Sequence, residues 1–378
     1  MTDAHWNWSS CLLAAVASVT LAVASCAPTL PRPYLESRAA AQRAYGAGRY
    51  DEAARYYHEA ATQASRSRDR DEMLFLEASA LQRAGRTNEA RAAYEALEKL
   101  SPAGERAARC AYEIASIEVE HGDERRGWQM LESVMRRYPG SGLAKRALHR
   151  YVKHLDETQG DAAGLAYLRA NMAWLRGNDM GEDAMYGIAD HLERMGKLAE
   201  ARDTFVECAT AWPYPGGALW DDALYRASLL DEKLGDPRAA IARLDQMLVE
   251  REVSTFSGSY ERPRYARAQM RKAELYRDAL RDHAAARREF RKLFDEFTTS
   301  LLRDEAMWEA AKLAAADRDT DAACASMKLL AETIPDSRYV PCTPLVCPAA
   351  GAGTAPRGCR RYIERSVEHA EATAADTR

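Results

Sequence analysis

The chain has 378 residues, 29% of them charged, with 53 basic against 57 acidic side chains and a formal net charge of −4. That balance gives no reason to expect nucleic acid as a partner, because a phosphate backbone selects an excess of positive charge. Glycines number only 21 and prolines 14, while Ala, Arg, Glu and Leu dominate, a composition that favours helix throughout.

Leu12 to Ala24 form an apolar run of 13 residues. That length suits a signal-peptide core and is short for a bilayer span. The run ends in Val23-Ala24-Ser25-Cys26, which resembles the lipobox of bacterial lipoproteins. The resemblance implies removal of residues 1–25 and lipidation of Cys26. Several acyl chains then hold the protein firmly where one binds marginally, at about 0.8 kcal/mol per buried methylene. Ala27 follows the cysteine, and the rule for enteric lipoproteins then implies the outer membrane, on its periplasmic face. Pro28, Pro31 and Pro33 come next, so residues 26–36 are expected to form a lipidated, extended tether.

A turn residue then recurs as Gly48, Gly85, Gly122, Gly160, Gly196 and Gly235, at intervals of 37, 37, 38, 36 and 39. Self-similarity at such a period is the mark of a solenoid. Five residues past each turn lie Ala53, Ala90, Gly127, Leu165, Ala201 and Ala240, and nine past lie Tyr57, Tyr94, Leu131, Arg169, Phe205 and Leu244. The first set places a small residue where two helices cross, and the second a large residue on the same face. Proline follows seventeen residues after the turn at Pro102, Pro139, Pro213 and Pro335, ending the second helix of a pair. In the fourth copy, the poorest match, Arg169 takes the place of the core residue, and Leu168 beside it is the candidate to compensate. Two further copies replace the glycine by Arg281 and Arg318, followed by Ala286 and Phe290, and by Ala323 and Met327.

This pattern resembles the tetratricopeptide repeat (TPR). The second copy carries it in Ala78, Leu81, Gly85, Ala90, Tyr94 and Pro102, and the fifth in Ala189, Leu192, Gly196, Ala201, Phe205 and Pro213. The resemblance implies an all-α fold, a right-handed α-solenoid of about eight TPR-like helix pairs over residues 37–336. The long period and phrases such as Arg137-Tyr-Pro-Gly-Ser141 resemble the repeats of envelope TPR proteins, among them the helical lipoprotein of the β-barrel assembly machine.

Between Gly235 and Arg281 the interval grows to 46, and the Ser- and Gly-containing stretch near 253–264 is expected to be a loop insertion. Residues 337–378 are expected to form a Cys/Pro/Gly-rich linker and an amphipathic capping helix from Gly358 to about Ala374. Cys324, Cys342, Cys347 and Cys359 lie in this region, and in an oxidising compartment they are expected to form disulfides. Three pairings are open. Cys342 with Cys347 would close a tight loop, and either of them with Cys359 would staple the last helix. Cys110 and Cys208 fall at core positions as buried thiols.

No constellation for chemistry emerges. The eight histidines include no His-Glu-x-x-His, and there is no nucleophile elbow, phosphate-binding loop or haem motif. No metal or cofactor is expected, and no enzymatic activity. Aromatic residues are the remaining signal. Tyr45, Tyr112, Tyr151, Tyr186, Tyr225 and Tyr276 fall on first helices and are candidates for a partner-binding groove. Trp212, Tyr214, Trp220, Tyr260 and Arg262 are candidates for binding loops. Such surfaces suit an extended peptide or a partner's helix. The expectation is a membrane-anchored periplasmic scaffold whose partners are other envelope proteins. Its rivals are a peptidoglycan-associated coordinator, a non-catalytic partner of a cell-wall enzyme, a cell-wall-active enzyme and a small-ligand binder.

Overall fold

The computed structural model describes residues 30–249, 263–348 and 358–363. The expected signal segment with Cys26, the insertion with Tyr260 and Arg262, and the last helix beyond Ile363 lie outside the described residues.

Described residues between Arg32 and Thr333 form helices joined in eight pairs, with no strand among them. The pairs are α1 (Arg32–Gly46) with α2 (Tyr50–Gln63), α3 (Ser67–Arg83) with α4 (Thr87–Leu100), α5 (Ala107–His121) with α6 (Glu124–Arg137), and α7 (Gly142–Gln159) with α8 (Asp161–Arg176). Then come α9 (Gly181–Arg194) with α10 (Leu198–Ala211), α11 (Trp220–Lys233) with α12 (Pro237–Val249), α13 (Pro263–Asp278) with α14 (His283–Glu296), and α15 (Arg303–Ala316) with α16 (Thr320–Thr333). Odd-numbered helices are the first of each pair. The chain divides into two compact units, Met1–His154 and Leu155–Arg378. Among the described residues no helix is long and apolar enough to cross a membrane.

The helical hairpins follow from the turn residues. Gly48, Gly85, Gly160, Gly196 and Gly235 have φ between 75° and 87°. A glycine adopts this left-handed conformation without steric penalty, which is why it ends helices. Arg281 and Arg318 hold the same conformation at φ 54° and 64°, so the two copies without glycine keep the turn and bear its strain. Gly122 departs from the set, with φ −124°. There the Glu118 carboxylate closes the turn by accepting from the Asp123 N–H at 3.4 Å.

The small residues are small because backbone lies against them. Ala53, Ala90, Ala201, Ala240, Ala286 and Ala323 are fully buried. A methyl group at Gly127 would come 2.5 Å from the Val119 nitrogen. One turn on, Tyr57, Tyr94, Leu131, Phe205, Leu244, Phe290 and Met327 fill the core.

The fourth copy corrects the sequence register. In other copies the second helix starts two residues after the turn glycine, but α8 starts at Asp161, directly after Gly160. Every later position therefore moves up by one. Gly164, not Leu165, makes the close approach, since a methyl group there would strike Asp156 and His191. Leu168 enters the core in place of Arg169, as the compensating residue the sequence offers. Arg169 is left outside and pairs with Glu200 at 3.5 Å.

Both ends also differ from expectation. The tether yields to helix at Arg32, and Pro33 lies in the first turn, where its missing N–H breaks no helical bond. At the other end the residues after Pro335 pack back instead of forming a simple linker. A 3₁₀ turn (Val340–Cys342) leads into a short helix, α17 (Thr343–Val346). Tyr339 stacks on Trp308 with ring centroids 5.5 Å apart. Cys324 bonds to Cys347 and Cys342 to Cys359, each with Cα atoms 4.9 Å apart. The tight Cys342–Cys347 loop does not form, because the turn of α17 sends the two side chains to different partners. Ile363 completes an apolar cluster with Phe294, Met307, Trp308 and Tyr339.

Candidate interaction surface

None of the six first-helix tyrosines stands exposed; Tyr112 and Tyr225 are buried and the other four half-buried. In the first unit, Tyr45 packs edge-on against Tyr50 and Tyr57, and Tyr151 against Trp128. Arg146 covers Tyr112, its guanidinium 5.3 Å from the ring centre. In the second unit, Arg264 covers Tyr225 at 5.6 Å and Arg226 covers Tyr186 at 5.9 Å and Phe205 at 5.0 Å. The Tyr186 hydroxyl donates to Asp222. Burial, with the Asp222 bond, pushes that hydroxyl well above its ordinary range. For Tyr276 the backbone carbonyl accepts from the Asp282 N–H at 2.9 Å.

The arginines that cover these rings belong to a pattern that reading along the chain does not expose. A cation on one first helix reaches a carboxylate on the first helix of the neighbouring pair. Arg226 on α11 donates to Asp190 at 2.9 Å and Glu193 at 2.7 Å on α9, and Lys233 adds a bond to Glu193 at 2.8 Å. Arg264 pairs with Asp222, and Arg271 with Glu232. Arg277 on α13 donates to Glu309 on α15 at 2.7 Å. In the first unit Arg150 on α7 pairs with Glu120 on α5 at 3.0 Å, and Arg106, the residue just before α5, pairs with Glu72 on α3. Exposed pairs contribute about 0.2–1 kcal/mol each. Their consequence here is specificity of stacking, since each pair fixes which face of one repeat meets the next.

The junction from Trp212 to Trp220 is held rigidly. The Glu182 carboxylate accepts from the N–H groups of Ala218 at 3.0 Å and Leu219 at 2.7 Å, capping α11 from the preceding pair. Arg176 lies 5.9 Å over Trp212, and Tyr214 leans on Trp220 with centroids 5.9 Å apart. Trp220 is buried, whereas Trp212 and Tyr214 are half-exposed at the edge of this turn.

A cleft of about 540 Å³ opens between the first helices α13 and α15. Met270 and Leu313 contribute its apolar lining, with Glu274, Arg277, Glu309 and Lys312 around them. Both charge signs line it, and Lys312 is held to Glu309 at 2.7 Å. Burial raises the Glu305 carboxyl above its ordinary range against the opposing pull of Arg338. Cys110 and Cys208 are buried thiols pushed up to about 12 by desolvation, so they carry little thiolate. Among the described residues no group of three or more His, Cys, Asp or Glu is arranged to hold a metal ion.

No protein-family profile and no curated protein matches the chain. Solved structures do resemble it. Naa15/Naa10 bound to HypK-THB is 15% identical, with a TM-score of 0.38 over 82% of this chain and 44% of that one. This chain thus spans less than half of that structure's length. A tetratricopeptide repeat protein from Parabacteroides merdae is 14% identical, with a TM-score of 0.33 over 73% of this chain and 98% of that one. PilF of Pseudomonas aeruginosa is also 14% identical, with a TM-score of 0.35 over 64% and 98%. What defines the class is internal to the chain: eight helix pairs with small, large and turn residues at TPR consensus positions make it an all-α array of TPR-like repeats.

Proposed function

We propose that the chain is a scaffold, lipid-anchored through Cys26 at the periplasmic face of the outer membrane, that binds other envelope proteins. The observation that carries the binding role is the α13–α15 cleft. It lies along two parallel-running first helices, has an apolar lining, and presents carboxylates and cations at helical spacing. An extended peptide or a partner's helix meets all three with its side chains and backbone. The two disulfides support an oxidising compartment. The lipobox-like run ending in Cys26 supports the anchor.

Two measurements test this reading. Membrane fractionation of Cys26→Ala should move the protein to the soluble fraction, and unchanged fractionation removes the anchor. A photo-crosslinker placed at Glu274 should trap a discrete envelope protein in native membranes, and the product should vanish in Glu309→Lys. Trapping that persists in Glu309→Lys, or no protein adduct, removes the cleft as the binding surface.

A further inference from the structure

The same helix, α15, has a second lined face. Glu305, Glu309 and Lys312 border the cleft above, whereas Met307, Ala310 and Ala314 fall on the opposite side at about 100° per residue. These three floor a separate groove of about 520 Å³ between α14 and α16. The α14 wall is the stripe Ala284, Arg287, Arg288 and Arg291, the i, i+3, i+4 and i+7 positions of one helical face. The α16 wall is small, formed by Ala322 and Ser326.

Charge distinguishes this groove from the rest of a chain whose net charge is −4. Three arginines face it against one carboxylate, Asp319. Arg287 donates to Asp319 at 2.8 Å, and Arg291 donates to Asp295, one turn away on its own helix, at 2.7 Å. Arg288 is exposed and enters no hydrogen bond or ion pair among the described residues. The groove therefore holds one unmatched guanidinium and two whose matches are surface pairs of small worth. Its floor residues Met307, Ala310 and Ala314 are themselves buried, and the apolar surface left open is on the walls, at Ala284 and Ala322. Such a floor gives a small anion no donor to rest on.

We propose that this groove docks an acidic amphipathic helix of a partner protein. Carboxylates one helical turn apart on that helix would meet Arg288 and Arg291 as charge-assisted pairs. Its apolar stripe would cover Ala284, Ala322 and the methylene stems of the arginines. The site is distinct from the α13–α15 cleft and stands whether or not that cleft is filled. Repeats seven and eight would then hold two partners of different chemistry on the two faces of one helix.

The probe is a fluorescein-labelled helical peptide with glutamates at every fourth position beside an Ala/Leu stripe, titrated by anisotropy against the full chain. Saturable binding is expected. Arg288→Glu should weaken it about tenfold or more, while Arg281→Glu, in the other cleft, should leave it within about twofold. A peptide of equal composition with its glutamates scattered around the helix should bind about tenfold more weakly. Arg291→Glu is the second variant, and unchanged melting of each variant keeps the comparison clean. The proposal is overturned by no saturable binding, by equal binding of the scattered peptide, or by an equal loss in Arg281→Glu. It is also overturned if Arg288→Glu abolishes attachment to phosphatidylglycerol vesicles while the peptide binds neither protein, which would make the face a lipid contact.

Discussion

His191 and Asp156 meet inside the second unit, with Nε2 of the ring 2.8 Å from one carboxylate oxygen and 3.0 Å from the other. The ring's Nδ1 lies 2.6 Å from the Gly187 carbonyl, and Arg194 donates to the same aspartate at 3.0 Å. Gly164 is what lets them meet, because α8 passes so near that a methyl group there would strike both side chains. Gly164→Ala is expected to destabilise the second unit by about 1–3 kcal/mol through overpacking. Chemical denaturation measures it, and an unchanged midpoint would mean that α8 retreats without loss.

Arg318 and Gly196 perform the same turn with different residues. Arg318 holds φ 64°, a conformation that costs a side chain about 1–2 kcal/mol, whereas Gly196 holds φ 76° freely. Nothing lies within 4 Å of a methyl group at Gly196, so only backbone strain is at stake there. Arg318→Gly should therefore raise stability by about 0.5–1 kcal/mol, and Gly196→Ala should lower it by about 1 kcal/mol. Opposite shifts in denaturation midpoint are the result to look for.

Glu193 gives the acid dependence a direction. Burial raises its carboxyl, but the bonds from Lys233 and Arg226 outweigh burial and hold it below the ordinary 4.5. A carboxyl depressed in the folded state stabilises the fold above its ordinary value, and that contribution fades as pH falls through the folded value. Stability should thus decline as pH drops below about 4.5. The decline should be shallower in Glu193→Gln, as followed by thermal melts between neutral pH and pH about 3.

The disulfides predict a local loss. Cys342–Cys359 spans a separation of 17 residues, for which chain-entropy arguments give about 3 kcal/mol. The double variant Cys342→Ser with Cys359→Ser should speed hydrogen exchange in α16 and around Tyr339 while α1 to α4 keep wild-type rates. Uniform acceleration would show the bond acting on the whole chain instead.

Much of this architecture was legible in the residues. Gly85, Ala90, Tyr94 and Pro102 each state one local requirement, namely a left-handed turn, a close crossing, a filled core and a stop. The one-residue slip after Gly160 was not legible, because helix start depends on how the turn closes and Leu165 is as apolar as Leu168. The covering of Tyr186 by Arg226 was not legible either. The two lie 40 positions apart, and only the stacking of α11 on α9 brings them together. Pairing of the four cysteines needed the path of α17. The arginine stripe on α14 was visible as spacing, but its groove exists only once α15 and α16 supply a floor and a wall.

The order of the bonded cysteines along the chain is 324, 342, 347, 359, with the first joined to the third and the second to the fourth. The two loops overlap along the chain, and all four cysteines lie beyond α15. A stack held by neighbour contacts alone sheds its outermost member first. Here Cys324–Cys347 fastens α16 to the segment that follows it, and Cys342–Cys359 closes that segment further, so α16 and the residues around Tyr339 form one cross-linked block. Neither bond reaches α15, so this block parts from α15 or stays with it as a whole, and α16 does not fray away from the residues behind it.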